Sequence, residues 1–185
     1  MDSQDKLFLS ADRLLDDAFQ LGFRVLASGY VPDLVIALWR GGAPVGVAIS
    51  ELFRYRGLAH DALPLATRHY AAPEQPAGRV EIFGLEALSG RLAEAQKILV
   101  VDDVFDTGLT VQAVLAALSD AAGSARPEIR TATLWYKPSR NRTELAPDYF
   151  LHLTERWIVF PHELEGLTPA EIRAGKPELP ALRDL

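Results

Sequence analysis

Ile98-Leu99-Val100-Val101-Asp102-Asp103-Val104-Phe105-Asp106-Thr107-Gly108-Leu109-Thr110 is the stretch that decides the fold. Four apolar residues run into two adjacent carboxylates. A third acid, a glycine and two threonines follow, after which Val111, Val114, Leu115, Leu118 and Ala121 recur at helical spacing. The pattern predicts a buried strand that opens into a turn at a helix start. Residues 106–110 then offer successive backbone N–H groups and the Thr107 and Thr110 hydroxyls, while Gly108 permits close backbone approach. Such a turn is a phosphate cradle. Asp102 and Asp103 would repel that phosphate; they suit sugar hydroxyls or the surroundings of a magnesium ion. Asp106 lies between the two regions and is the candidate general base.

Working outward, Asp33–Trp39 is a continuous apolar run of strand length, as a parallel strand covered on both faces requires. Arg40-Gly41-Gly42 is a tight turn, and Val45, Ala48, Ile49, Leu52 and Phe53 keep helical period until Gly57. Ser10 is placed to cap a helix reaching about Ser28. Leu58–Thr67 and Thr131–Tyr136 read as further strands. Alternating strands and helices predict an α/β fold, an open parallel sheet with helices on both faces, whose ligands bind beyond the carboxyl ends of the strands. Residues 68–96 interrupt that rhythm with Pro73, Pro76 and Gly78 and read as a long functional or mobile loop, in which Arg79–Phe83 alternates like a hairpin arm. Tyr70 and Arg79 read as solvated loop residues, the alternative being that they close over the transition state. After Lys137, short strands at about 148–152 and 157–160 are expected to form a small cap. Thr168-Pro169-Ala170-Glu171 is a capping box that opens a short helix.

The bulk composition narrows the function classes. With 185 residues, 49 % hydrophobic and 24 % charged, one globular domain is expected. A formal net charge of −6 without a basic run argues against a nucleic-acid partner. No apolar run is long enough to span a bilayer, and no signal-peptide pattern follows Met1, so a cytoplasmic location without membrane partners is expected. There is no cysteine for a thiolate site or nucleophile, and the four histidines lack short ligand spacing. Two other acid chemistries fail on order or spacing. Haloacid-dehalogenase-type phosphatases need acid-x-acid, whereas two residues separate Asp103 from Asp106; response-regulator receivers place their acidic pair near the chain start.

V-V-D-D-V-F-D-T-G-L-T, residues 100–110, resembles the phosphoribosyl pyrophosphate (PRPP) signature of type I phosphoribosyltransferases. The resemblance extends over most of the chain. It implies one domain over 1–185, with a core of about 28–136, a flexible loop of about 68–96, and a base-binding hood of about 137–165 followed by a C-terminal tail. Trp39-Arg40-Gly41-Gly42 matches the pyrophosphate loop, where the family often carries a non-proline cis peptide, here Trp39–Arg40. Lys137 and Trp157-Ile158-Val159-Phe160-Pro161-His162-Glu163 look like the hood of bacterial xanthine-guanine and archaeal purine enzymes. Glu163 stands where aspartate is commoner, and His162 where tryptophan is common.

The resemblance implies transfer of the phosphoribosyl group from PRPP to a 6-oxopurine, with Mg2+ as cofactor. PRPP would meet Arg40, Gly41, Gly42, Asp102, Asp103, Asp106, Thr107, Gly108, Leu109 and Thr110. The base would meet Lys137, Trp157 and the backbone of Ile158; Asp103 and Glu163 are the metal-side acids. A homodimer or homotetramer is implied by the same resemblance. A non-catalytic nucleotide-binding regulator, or an enzyme for another base such as orotate or adenine, remains open at this point.

Overall fold

The computed structural model describes residues 6–72 and 75–182, with side chains for all of these except 69–79. The strands are β1 Lys6–Phe8, β2 Leu34–Trp39, β3 Asp61–Ala72, β4 Gln75–Phe83, β5 Lys97–Phe105, β6 Glu128–Tyr136, β7 Tyr149–Leu153 and β8 Trp157–Val159. The helices are α1 Ala11–Ala27, α2 Gly42–Tyr55, α3 Leu85–Glu94, α4 Leu109–Ala122 and α5 Pro169–Gly175. Six strands form one sheet in the order β4–β3–β2–β5–β6–β7, and β1 pairs with β8 in a second. Every pairing is parallel except β3 with β4.

The apolar runs of β2 and β5 are continuous because both faces are covered. Val35, Leu99 and Val101 join the core beneath α1 and α2. Leu34, Ile36, Ile98 and Val100 join the core beneath α3 and α4. Helix α1 turns Leu14, Ala18, Leu21 and Val25 inward, and Ser10 accepts from Arg13 N at 3.2 Å, as the cap reading requires. The capping box of α5 is also formed, with Thr168 and Glu171 exchanging hydrogen bonds.

Two expectations need correction. Within residues 68–96 the expected hairpin arm is present, Arg79–Phe83 lying in the antiparallel β4, but the rest is not a loop: β3 extends to Ala72 and α3 follows β4. Leu88 and Leu92 bury one face of that helix. The side chains of Tyr70 and Arg79 lie outside the described residues. The strand near 148–152 is not part of a cap; as β7 it extends the main sheet beside β6, with Tyr149 buried and Leu151 packed on the α1–α2 core. Only β8 leaves the sheet, and its partner β1 has no signature in the sequence reading.

Candidate functional site

The carboxyl ends of β2 and β5 open into a cleft of about 920 Å3 lined by Trp39–Gly41, Thr67, Asp102–Val111, Arg142, Trp157 and His162–Gly166. The structure therefore brings together the pyrophosphate-loop, acidic-turn and hood segments singled out in the sequence. The Trp39–Arg40 peptide is cis, as the resemblance implied.

Close approach explains both glycines of the first loop. A Cβ at Gly41 would overlap the Asp103 carboxylate, and one at Gly42 would overlap Val101 O and lie 2.9 Å from Asp102 Cα. The loop after β2 is thus pressed onto the acid pair at the end of β5. Gly108, with φ +78°, begins α4 where an L side chain would be strained, and a Cβ there would lie 2.6 Å from Thr143 Oγ1. Gln112 N donates to Gly108 O at 2.9 Å, closing the first turn. Helices α1 and α5 are capped by their own side chains, whereas α2 and α4 begin at Gly41 and Gly108 without a side-chain cap. The first N–H groups of α4 are left for an anion at the cleft, whereas at α2 Ala43 N donates to Arg40 O at 3.1 Å and Pro44 has no N–H, so that start contributes chiefly its dipole.

Asp102 and Asp103 sit side by side, with Asp103 N donating to Asp102 Oδ1 at 3.0 Å. Asp103 is buried, and burial followed by the nearby charge of Glu163 pushes its carboxyl up to about 7. Burial and the Asp103 charge also push Asp102 well above the usual carboxylate range. Two crowded carboxylates of this kind fit a divalent cation. Among the described residues no three His, Asp or Glu side chains group closely enough to cage one. Phosphate and water oxygens would have to complete the coordination, as is usual for Mg2+. Glu163 reaches the same cleft, but its Oε2 accepts from Phe160 N at 3.1 Å, so that oxygen holds its own turn.

Asp106 carries a cation on each oxygen. Arg140 Nε lies 2.6 Å from Oδ1 and Lys137 Nζ 3.4 Å from Oδ2. Lys137 is buried against this carboxylate rather than lining the cleft wall. Trp157 lines the cleft, whereas the side chain of Ile158 is in the core, leaving only its backbone for a ligand. Arg40 Nη2 lies 3.3 Å from Glu165 Oε2 across the cleft mouth, both groups being well exposed.

Arg140, Arg142 and the Asn141–Thr143 turn are absent from the sequence reading. Arg142 N donates to Thr107 O at 2.9 Å. Thr143 N and Oγ1 both donate to Asn141 Oδ1 at 2.9 Å, bracing the underside of Gly108. The signal that could have found them is the Arg-Asn-Arg run at the carboxyl end of a strand, directly after Lys137.

The geometry can be set beside known proteins. The phosphoribosyl transferase domain model matches residues 10–166. Among solved structures, the chain is similar to the purine phosphoribosyltransferase from Pyrococcus horikoshii OT3, at 27 % identity over 89 % of this chain and 98 % of that one, with a TM-score of 0.69. A hypothetical protein from Neisseria gonorrhoeae with bound ppGpp matches at 18 % identity, 94 % and 97 % coverage and TM-score 0.69. The Helicobacter pylori xanthine-guanine-hypoxanthine phosphoribosyltransferase matches at 24 %, 86 % and 95 %, and 0.65. The latter two bear on the fold alone. No curated protein matches the chain by sequence. With the family model spanning most of its length and the PRPP signature lining the cleft, the chain belongs to the phosphoribosyl transferase domain family.

Proposed function

We propose that this protein is a Mg2+-dependent purine-salvage enzyme, transferring the 5-phosphoribosyl group of PRPP to xanthine, guanine or hypoxanthine. The observation that carries the proposal is the single cleft shared by the uncapped turn 106–110, the acid pair, the Arg40 loop and Trp157. A ligand with a phosphate at one end, vicinal hydroxyls in the middle and a pyrophosphate at the other matches that sequence of groups. The purine reading draws on the Pyrococcus horikoshii purine phosphoribosyltransferase and on the tryptophan at the cleft.

In this reading the N–H groups and hydroxyls of Thr107–Thr110 hold the 5′-phosphate. Asp102 and Asp103 accept from the ribose hydroxyls, and Arg40 with the start of α2 neutralises the leaving pyrophosphate. Mg2+, held by Asp103 with Asp102 or Glu163 beside it, would supply charge compensation for the pyrophosphate. The C1–oxygen bond to pyrophosphate breaks as the bond from C1 to the purine nitrogen forms, and Asp106 accepts the proton from N7. Charge at C1 rises in the oxocarbenium-like transition state, so positioning and electrostatics dominate. Trp157 stacks on the base. The Lys137 ammonium lies behind Asp106, and to meet the base it has to turn from that carboxylate. Its donors would then serve O6 of an oxopurine, whereas facing the amino group of adenine it leaves two donors unpaired, at about 1–3 kcal/mol each.

Pyrophosphate release from PRPP and Mg2+ with guanine, xanthine, hypoxanthine, adenine and orotate tests this. Turnover confined to the oxopurines is expected. Adenine as best substrate would overturn the Lys137 role, and silence with every base would overturn the enzyme.

A further inference from the structure

Two elements outside the family-matched residues 10–166 meet behind the hood: β1 precedes that range and α5 follows it. Lys6 is buried on β1, beside Trp157 in register. Its Nζ donates to Glu171 Oε1 of α5 at 2.6 Å and lies 4.8 Å from the centroid of the Trp157 indole. The Lys6 carbonyl accepts from Arg156 Nη2 at 2.8 Å. Gly175, at the end of α5, lies so close to Phe8 that a Cβ would overlap its ring. Just beyond α5, Lys176 is 2 % exposed. Its Nζ donates to Phe160 O at 2.6 Å and Pro161 O at 3.1 Å. Phe160 O also accepts from Glu163 N at 3.0 Å. The buried ammonium is therefore tied to the turn that presents His162 and Glu163 to the cleft.

Burying a charge is costly unless it is paired and hydrogen-bonded, and apolar residues commonly hold two elements together as well or better. Lysine adds direction here. One ammonium is fixed against the indole by an ion pair and a cation–π contact, and the other reaches two carbonyls of the Phe160–Glu163 turn. Both lysines act on the hood segment 157–163, whereas the PRPP half of the cleft hangs from β2, β5, α2 and α4.

We propose that β1 and α5 form a brace in which Lys6 and Lys176 are positioning residues for the purine base, Lys6 setting the plane of Trp157 and Lys176 the Phe160–Glu163 turn. The proposal rests on the reading of Trp157 as the stacking surface for the base. Its test is steady-state kinetics of Lys6→Met and Lys176→Met, with Lys6→Arg and Lys176→Arg as conservative variants and thermal melting as the check on folding. The methionine variants should raise the KM for the base about tenfold while PRPP KM and kcat stay within about twofold. Lys6→Arg should recover most of the loss, because a guanidinium can keep both Glu171 and the indole. A brace of purely structural value would lower the melting temperature and leave the base KM in place. The inference is overturned if the two KM values rise together, or if the base KM is unmoved in folded Lys6→Met. Should Lys176→Met fail to fold, Lys6→Met decides alone. Wild-type protein without turnover on any base overturns the proposed function instead, so the two failures are distinct.

Discussion

Asp106 shows how far a single side chain could be read. Its spacing after the acid pair marked it as the group between phosphate and ribose, and the structure puts it on the cleft wall. Its two cations were not legible, because the 3-10 turn Pro138–Arg140 decides which side chains return to it. Those cations hold the carboxylate in place, and in the proposed role as base one contact has to loosen as the proton arrives. Asp106→Asn keeps the shape and removes the acceptor, so kcat should fall by roughly 10²–10⁴ with PRPP KM changed only a few-fold. Steady-state kinetics at saturating base checks this; an unchanged kcat removes Asp106 from the base role. Gly41 is a second decisive position. A methyl there has no room beside Asp103, so Gly41→Ala should cost about 1–3 kcal/mol of stability. Urea unfolding of the two proteins measures it, and equal midpoints would mean that the loop yields without cost.

At the scale of elements, α1, β2, α2, β5, α4 and β6 were visible because each is long enough for its period to show. Helix α3 carries only Leu85, Leu88 and Leu92 on its apolar side and has Ser89-Gly90 in its middle, so its period was lost among turn residues. Strand β1 has three residues and owes its existence to β8. The membership of β7 in the main sheet depends on register with β6, which no local pattern encodes. The attachment of α5 to β1 has a pH signature. Hydrogen bonding from Lys6, then from the Thr168 backbone and hydroxyl, holds the Glu171 carboxyl down to about 2. A depressed carboxylate contributes stability above its unfolded range, near 4.3, and the contribution is lost as pH falls towards the folded value. Thermal melts from pH 3 to 6 should therefore show wild type above Glu171→Gln by a constant margin down to about pH 5, with the margin shrinking below. A margin that persists undiminished at pH 3 would place the stabilisation elsewhere.

Across the whole molecule, the alternation of strands and helices predicted an open parallel sheet but not its order. That order places β2 and β5 side by side at the centre, with α2 on one face and α4 on the other, so the chain reverses its winding at the cleft. Two uncapped helix starts therefore converge on one crevice in a protein whose formal net charge is −6. No helix among the described residues is long and apolar enough to cross a membrane. The convergence has a kinetic consequence. If PRPP is the substrate, as proposed, it is repelled at long range by the net negative charge and attracted only within the crevice, where the N–H groups of α4 and Arg40 would act at contact distance. Dissolved salt screens charge over about 10 Å at 0.1 M. It should weaken the distant repulsion and the close attraction alike, so stopped-flow binding of PRPP should show both association and dissociation quickening as NaCl rises from about 20 to 200 mM. An association rate that falls with salt would mean that the local field of the crevice extends past the protein's surface and steers the encounter.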